Sequence, residues 1–189
     1  MKICVTILLS VILTATTNFG QTTILWNESV SGDLSQYYSI PTSLGNLQLV
    51  TNIIIGATEI EPTGNSWFVH PEIFTIEVPN NSVVTALYIQ IDSPNVWAWI
   101  GDPTFSSGLG FTDNASTGEL LSQWAIDSID SGVYGMYLAN MNALPYTSIA
   151  NYQLDFVVET VPEPGMLGML LLGAGIFTLR HCRKSHFLS

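Results

Sequence analysis

Residue types that can do acid–base, metal or stacking chemistry are unevenly spread along this chain. Of its fifteen Asp and Glu, all but Glu163 fall between residues 21 and 160, where there is no Lys or Arg and a single histidine, His70. A Ser-His-Asp triad can be drawn around His70, but no Gly-x-Ser-x-Gly elbow supplies a nucleophile. No cationic side chain is at hand for an oxyanion or a phosphate. Pro71 follows His70 directly, which favours a rigid extended backbone there. No carboxylate pair is singled out by spacing for glycoside hydrolysis. The expectation is no catalytic residue and no enzyme; a secreted hydrolase would need His70 in a concave site beside a Ser or a carboxylate.

The carboxylates pose the next question. Glu59-Ile60-Glu61 would place two on one strand face, and Asp127-Ser128-Ile129-Asp130 could wrap a loop ion. Calcium asks for six to eight oxygens, and no Asp-x-Asp-x-Asp-Gly loop is present. No metal residue and no cofactor is therefore assigned, with calcium the one ion this acid-rich pattern leaves open. A solvated acidic coat, which keeps a protein soluble, accounts for most of these groups. Nucleic acid and anionic membrane surfaces are excluded as partners by the same charge. Both cysteines, Cys4 and Cys182, lie outside residues 21–160, so no disulfide or thiolate site is available there.

Stacking chemistry centres on Val96-Trp97-Ala98-Trp99-Ile100. On a strand Trp97 and Trp99 share one side. Exposed, the two indoles would stack on sugar rings. Both faces of the segment are apolar, however, and the burial habit of aromatics favours placing the indoles in the core. Tyr37-Tyr38 and Trp67-Phe68 repeat the pattern more weakly.

These residues must be held by a β framework. Phe74, Ile76 and Val78 alternate, as do Tyr152, Leu154, Phe156 and Val158. Thr85, Leu87, Ile89 and Ile91 form a third face, and Tyr134, Met136 and Leu138 a fourth. Residues 23–26, 47–50, 53–55 and 96–100 read as further strands, with Thr51-Asn52 separating the second and third. Residues 105–116, rich in Gly, Ser, Thr and Asn, read as a long surface loop. Residues 118–127 fit either a helical turn or an irregular strand. Gly, Pro, Asn and Asp turns between the strands point to one all-β domain, an antiparallel β-sandwich of jelly-roll type.

The two ends differ from this body. Residues 1–20, with Lys2 ahead of an apolar run, read as a secretory signal peptide. Residues 21–160 make the acidic sandwich domain. Residues 161–189 make a tail in three parts: Pro162-Glu163-Pro164, an apolar run over residues 166–179, and a basic end with Arg180, Arg183 and Lys184. No ionisable group interrupts the run. As a helix it would reach roughly 22 Å against a hydrocarbon core of about 30 Å, short for a permanent span and suited to a segment recognised in the membrane and removed. The basic cluster would act as the cytoplasmic stop.

This tail resembles the bacterial PEP-CTERM sorting signal, in which a Pro-Glu-Pro motif precedes a transmembrane helix and an Arg/Lys-rich end. His181 and Cys182 interrupt the basic cluster. The resemblance implies recognition by an exosortase-type membrane protease and transient anchoring in the inner membrane through the C-terminal helix before processing. It implies delivery to the cell envelope, outer surface or medium, and association with extracellular polysaccharide or biofilm. The body, from Glu28-Ser29-Val30-Ser31-Gly32-Asp33 through Phe74-Thr75-Ile76-Glu77-Val78 to Tyr152-Gln153-Leu154, resembles the β-sandwich domains related to bacterial pre-peptidase C-terminal domains. Where those domains carry an acid before the Phe, this chain has His70-Pro71-Glu72-Ile73-Phe74. That resemblance implies a non-catalytic accessory or adhesive module. A structural or interaction component of the extracellular matrix is the function expected, with a carbohydrate-binding module as the alternative.

Overall fold

The computed structural model describes residues 21–161 apart from Asn65, Pro94 and residues 143–146. The expected signal peptide and the sorting tail from Pro162 onward lie outside the described residues. Eleven strands form two sheets among the residues described. In the first, β1 (Thr22–Asn27), β3 (Thr51–Thr63), β11 (Ser148–Thr160), β6 (Ser82–Ile91) and β9 (Gly118–Glu119) lie side by side, and β4 (Ser66–His70) pairs with the far half of β3. In the second the order is β2 (Thr42–Asn46), β5 (Glu72–Val78), β10 (Gly132–Asn140), β7 (Val96–Gly101) and β8 (Gly108–Ala115).

Alternation drives the packing. Ile54, Leu154, Phe156, Leu87 and Ile89 from the first sheet meet Phe74, Ile76, Met136, Leu138, Ala98 and Ile100 from the second in one continuous core. These side chains recur at every second residue, so each strand turns one face inward and one to water.

Most pairings are antiparallel, but β1 runs parallel to β3 and β2 parallel to β5, which corrects the purely antiparallel expectation. The expected break at Thr51-Asn52 is absent. The strand there is β3, thirteen residues long, and residues 47–50 turn into it. Asn52 is fully buried and organises that turn. Its side-chain oxygen accepts from the Gln48 N–H at 2.7 Å, and its amide donates to the Gln48 and Val50 carbonyls, each at 2.9 Å. Thr85 does not share the inner face with Leu87: β11 pairs Val157 with Ala86 but Val158 with Val84, so Thr85 is the extra residue of a bulge and faces water. Most of the stretch expected to be a loop, residues 105–116, is the edge strand β8, paired with β7. Residues 118–127 resolve into β9 and the short helix α2 (Leu120–Gln123). Glu119 caps α2 by accepting from the Leu121 N–H at 3.0 Å, and it also accepts from the Leu87 N–H at 3.1 Å, fastening the helix to β6.

One connection closes an edge of the sandwich. After β1 comes the single-turn helix α1 (Glu28–Ser31), capped by Asn27, and residues 32–41 then cross from the first sheet to β2 in the second. Leu34 on this strap enters the core. Ile73 N–H donates to the Ser35 carbonyl at 2.7 Å, and Ser35 N–H donates to Thr42 Oγ1 at 2.8 Å.

Candidate binding face and buried carboxyl cluster

Trp97 and Trp99 do not fill the core. Val96, Ala98 and Ile100 do, all fully buried, which turns the two indoles onto the outer face of the second sheet, half-buried. The correction has a simple cause. The segment is apolar on both faces, so composition could not choose, and the three smaller side chains fit the narrow gap between the sheets while neighbouring rings cover the indoles outside. Register builds this cover. Tyr137 on β10 pairs with Trp99, and Trp99 pairs with Phe111 on β8, giving an aromatic row across three adjacent strands. Trp97 meets Phe111 edge-on at 5.8 Å between centroids. Phe105, from the β7–β8 connection, stacks on Trp99 at 5.3 Å, and Tyr38 from the strap stacks on Tyr137 at 5.6 Å. Together with Thr104 these rings line a shallow hollow of about 370 Å³.

Two features place the rings. Asp102 gathers the connection after β7 by accepting from the N–H groups of Thr104, Ser106 and Ser107, which presents Phe105 over Trp99. Those bonds, led by the Thr104 hydroxyl, hold the Asp102 carboxyl well below the usual range. The Trp99 indole lies across Gly108, where a Cβ would stand 2.6 Å from its Nε1. Burial, with the Tyr38 hydroxyl alongside, pushes Tyr137 far above the usual phenol range.

A second constellation lies beneath the strap. Glu72, at the start of β5, is 3% exposed, and its Oε2 has no hydrogen-bond partner. Tyr152 on β11 is equally buried with an unpartnered hydroxyl. Glu28 Oε2 accepts from the Ala57 N–H at 2.6 Å. Gly56 makes this convergence possible, since a Cβ there would lie 2.5 Å from the Tyr152 hydroxyl and 3.1 Å from Glu28 Oε2. Burial, followed by the Glu28 charge, raises the Glu72 carboxyl to about 8; the Leu34 N–H opposes the rise and Asp33 adds to it. Glu28 is raised as well, by burial first, with Asp33 contributing and the Ala57 N–H opposing. Sequence reasoning missed this cluster because Glu28, Asp33, Glu72 and Tyr152 are brought together only by the course of α1 and the strap over the paired strands. The one hint was a glutamate set between His70-Pro71 and an apolar strand.

His70, the last residue of β4, is partly buried. Its Nε2 lies 3.2 Å from Glu61 Oε1 and its Nδ1 lies 3.3 Å from Gln36 Oε1. The pair ties the strap to β3. Glu59 and Glu61 flank buried Ile60 on β3, as expected. Among the described residues, no three His, Cys, Asp or Glu side chains are grouped so as to hold a metal ion. Among the same residues, no helix is long and apolar enough to cross a membrane.

These elements define a two-sheet β body with an aromatic outer face. The chain carries, at residues 160–184, the PEP-CTERM protein-sorting motif. That match takes in Pro162, Glu163, Pro164, Arg180, Arg183 and Lys184, and it implies recognition by an exosortase, a membrane protein, with export and transient anchoring before processing. No curated protein matches this chain. Among solved structures, a periplasmic inhibitor of g-type lysozyme from Salmonella Typhimurium, PliG, aligns with 8% identity over 62% of this chain and 99% of its own, at a TM-score of 0.35.

Proposed function

We propose that the protein is an exosortase-sorted surface or matrix component, delivered through the inner membrane and acting, without catalysis, as a structural or interaction element among extracellular polysaccharide. The observation that carries this reading is the sorting motif at residues 160–184. The body supports it: acidic, free of Lys and Arg, and built on a core rather than on disulfides. Intact mass of the protein from the envelope and the medium of its native host tests the reading. A mature species lacking residues 1–20 and everything beyond roughly residue 165 is expected. A species retaining residues 166–184 would reduce the tail to an anchor.

A carbohydrate-binding module is the second reading, favoured by the outward placement of Trp97 and Trp99 within an aromatic hollow. Aromatic faces with a few polar groups suit a ligand that is apolar on one side and wet on the other. Pull-down on insoluble glycans should lose the protein when Trp97 and Trp99 are both changed to Ala. Equal retention of the double variant would remove the second reading.

A further inference from the structure

Residues 28–41 touch both constellations. One end carries Glu28, Asp33 and Leu34 over the buried Glu72. The other carries Tyr38, which stacks on Tyr137 and meets Phe105 edge-on at 5.2 Å on the aromatic face. Between them, Ile73, the residue next to Glu72, donates its N–H to the Ser35 carbonyl and so holds the strap against β5.

We propose that the strap, residues 32–41, is proton-gated, closed while the Glu72 carboxyl keeps its proton and lifted when that proton is lost, withdrawing Tyr38 from the aromatic hollow. The groups facing Glu72 are Glu28 from α1, Asp33 from the strap and Tyr152 from β11, and none is cationic. His70 with Glu61 is the other titratable pair that reaches the strap, through Gln36, and Tyr137 faces Tyr38. A charge on Glu72 would therefore sit in a dry site against Glu28 and Asp33, beside an unpartnered Tyr152 hydroxyl and with no cationic side chain to neutralise it. Since these carboxylates are not grouped as metal ligands, a proton is the simplest neutraliser. At this end the strap has no strand ladder and is held by the Ile73–Ser35 and Ser35–Thr42 bonds, by Glu28 on the Ala57 N–H and by Leu34 in the core, fewer restraints than β3 and β11 carry. The consequence for ligand access rests on the carbohydrate reading of the hollow; the strap motion does not.

The test is hydrogen–deuterium exchange on the full-length chain, corrected for intrinsic exchange, at about pH 6 and about pH 9. Protection of the amides at Ser35 and Ile73, whose bonds fasten the strap, should fall by roughly tenfold or more at the higher pH, ahead of β3 and β11. Glu72→Gln should abolish the fall, Glu28→Gln should reduce it, and His70→Gln should leave it intact. Equal protection at both pH values, or an undiminished fall in Glu72→Gln, would overturn the proposal; should that variant not fold, an undiminished fall in Glu28→Gln does the same. Calcium chloride that restores protection at the higher pH in the wild type would also overturn it, with a cation taking the proton's place. Tryptophan emission should shift red as the strap lifts, and the shift should vanish in Trp99→Phe; a lifted strap with no shift breaks the link to the hollow. A strap that lifts as described in a protein that binds no glycan at either pH would sink the carbohydrate reading alone.

Discussion

A single buried carboxyl sets the alkaline limit of this body. Glu72 keeps its proton in the folded chain up to about 8, whereas in the unfolded chain it releases it near 4.5. Folding therefore gains from the bound proton at low pH, and the gain is lost as pH climbs through that window, by about 1.4 kcal/mol per unit. Above about 8 both states are ionised there and the slope ends. Urea unfolding at stepped pH should show a midpoint falling between those limits in the wild type and a flatter profile in Glu72→Gln. A wild-type profile already flat would contradict the placement of the group. The residues around β7 separate packing from binding. Ile100 is fully buried, so Ile100→Ala should cost roughly 2–5 kcal/mol by the same unfolding measurement. Trp99→Ala, on the outer face, should cost clearly less while emptying the hollow. If the two costs were reversed, the assignment of faces along β7 would be wrong. The sequence could not make that assignment, because Val96-Trp97-Ala98-Trp99-Ile100 is apolar on both sides and only the partner strands decide which side meets the core.

Among the elements, the strands with clean alternation were legible in advance. β5 and β11 show their inner faces at Phe74, Ile76, Val78 and at Tyr152, Leu154, Phe156, Val158, since each is polar on the other side or bounded by turns. β8 was not, because Gly, Thr, Asp and Asn give an edge strand the composition of a loop, and its pairing to β7 is supplied by the chain after Gly101 rather than by its own side chains. The bulge at Thr85 was hidden for a related reason: a one-residue insertion leaves the pattern of apolar residues almost unchanged while reversing the side on which Thr85 sits. The β7–β8 connection carries its own test. The Asp102 carboxylate is stabilised in the folded loop, so its contribution is present above its ordinary range and persists well into acid before protonation removes it. Near-ultraviolet circular dichroism from the Trp99–Phe105 pair should survive at about pH 4 in the wild type. In Asp102→Ala the same signal should be weakened at neutral pH. An unaltered spectrum in the variant would mean that Phe105 is held by the rings alone.

On the scale of the whole molecule, the tail and the charge were the most legible features, because both are statements about composition in order along the chain. The sandwich was legible as a class, while the parallel pairings of β1 and β2 and the strap between them were not, since they follow from which edges remain open once the hairpins have formed. Those same facts govern how the folded body responds to salt. It holds fourteen carboxylates, being the fifteen of the chain less Glu163, and no Lys or Arg between residues 21 and 160. Among the described residues, the contact between a basic and an acidic side chain is that of His70 with Glu61 at 3.2 Å. Repulsion is thus spread over the surface and relieved on unfolding, as the chain expands. Raising sodium chloride from about 10 mM to about 150 mM shortens the screening length from roughly 30 Å to roughly 8 Å. The thermal midpoint should rise by a few degrees, about what 1 kcal/mol gives a domain of this size. A protein held by surface ion pairs would move the other way. The rise should be the same for sodium chloride and calcium chloride at matched ionic strength if screening alone is at work. A larger rise with calcium would instead assign part of this charge to a bound cation, and the thermal midpoint in the two salts decides between them.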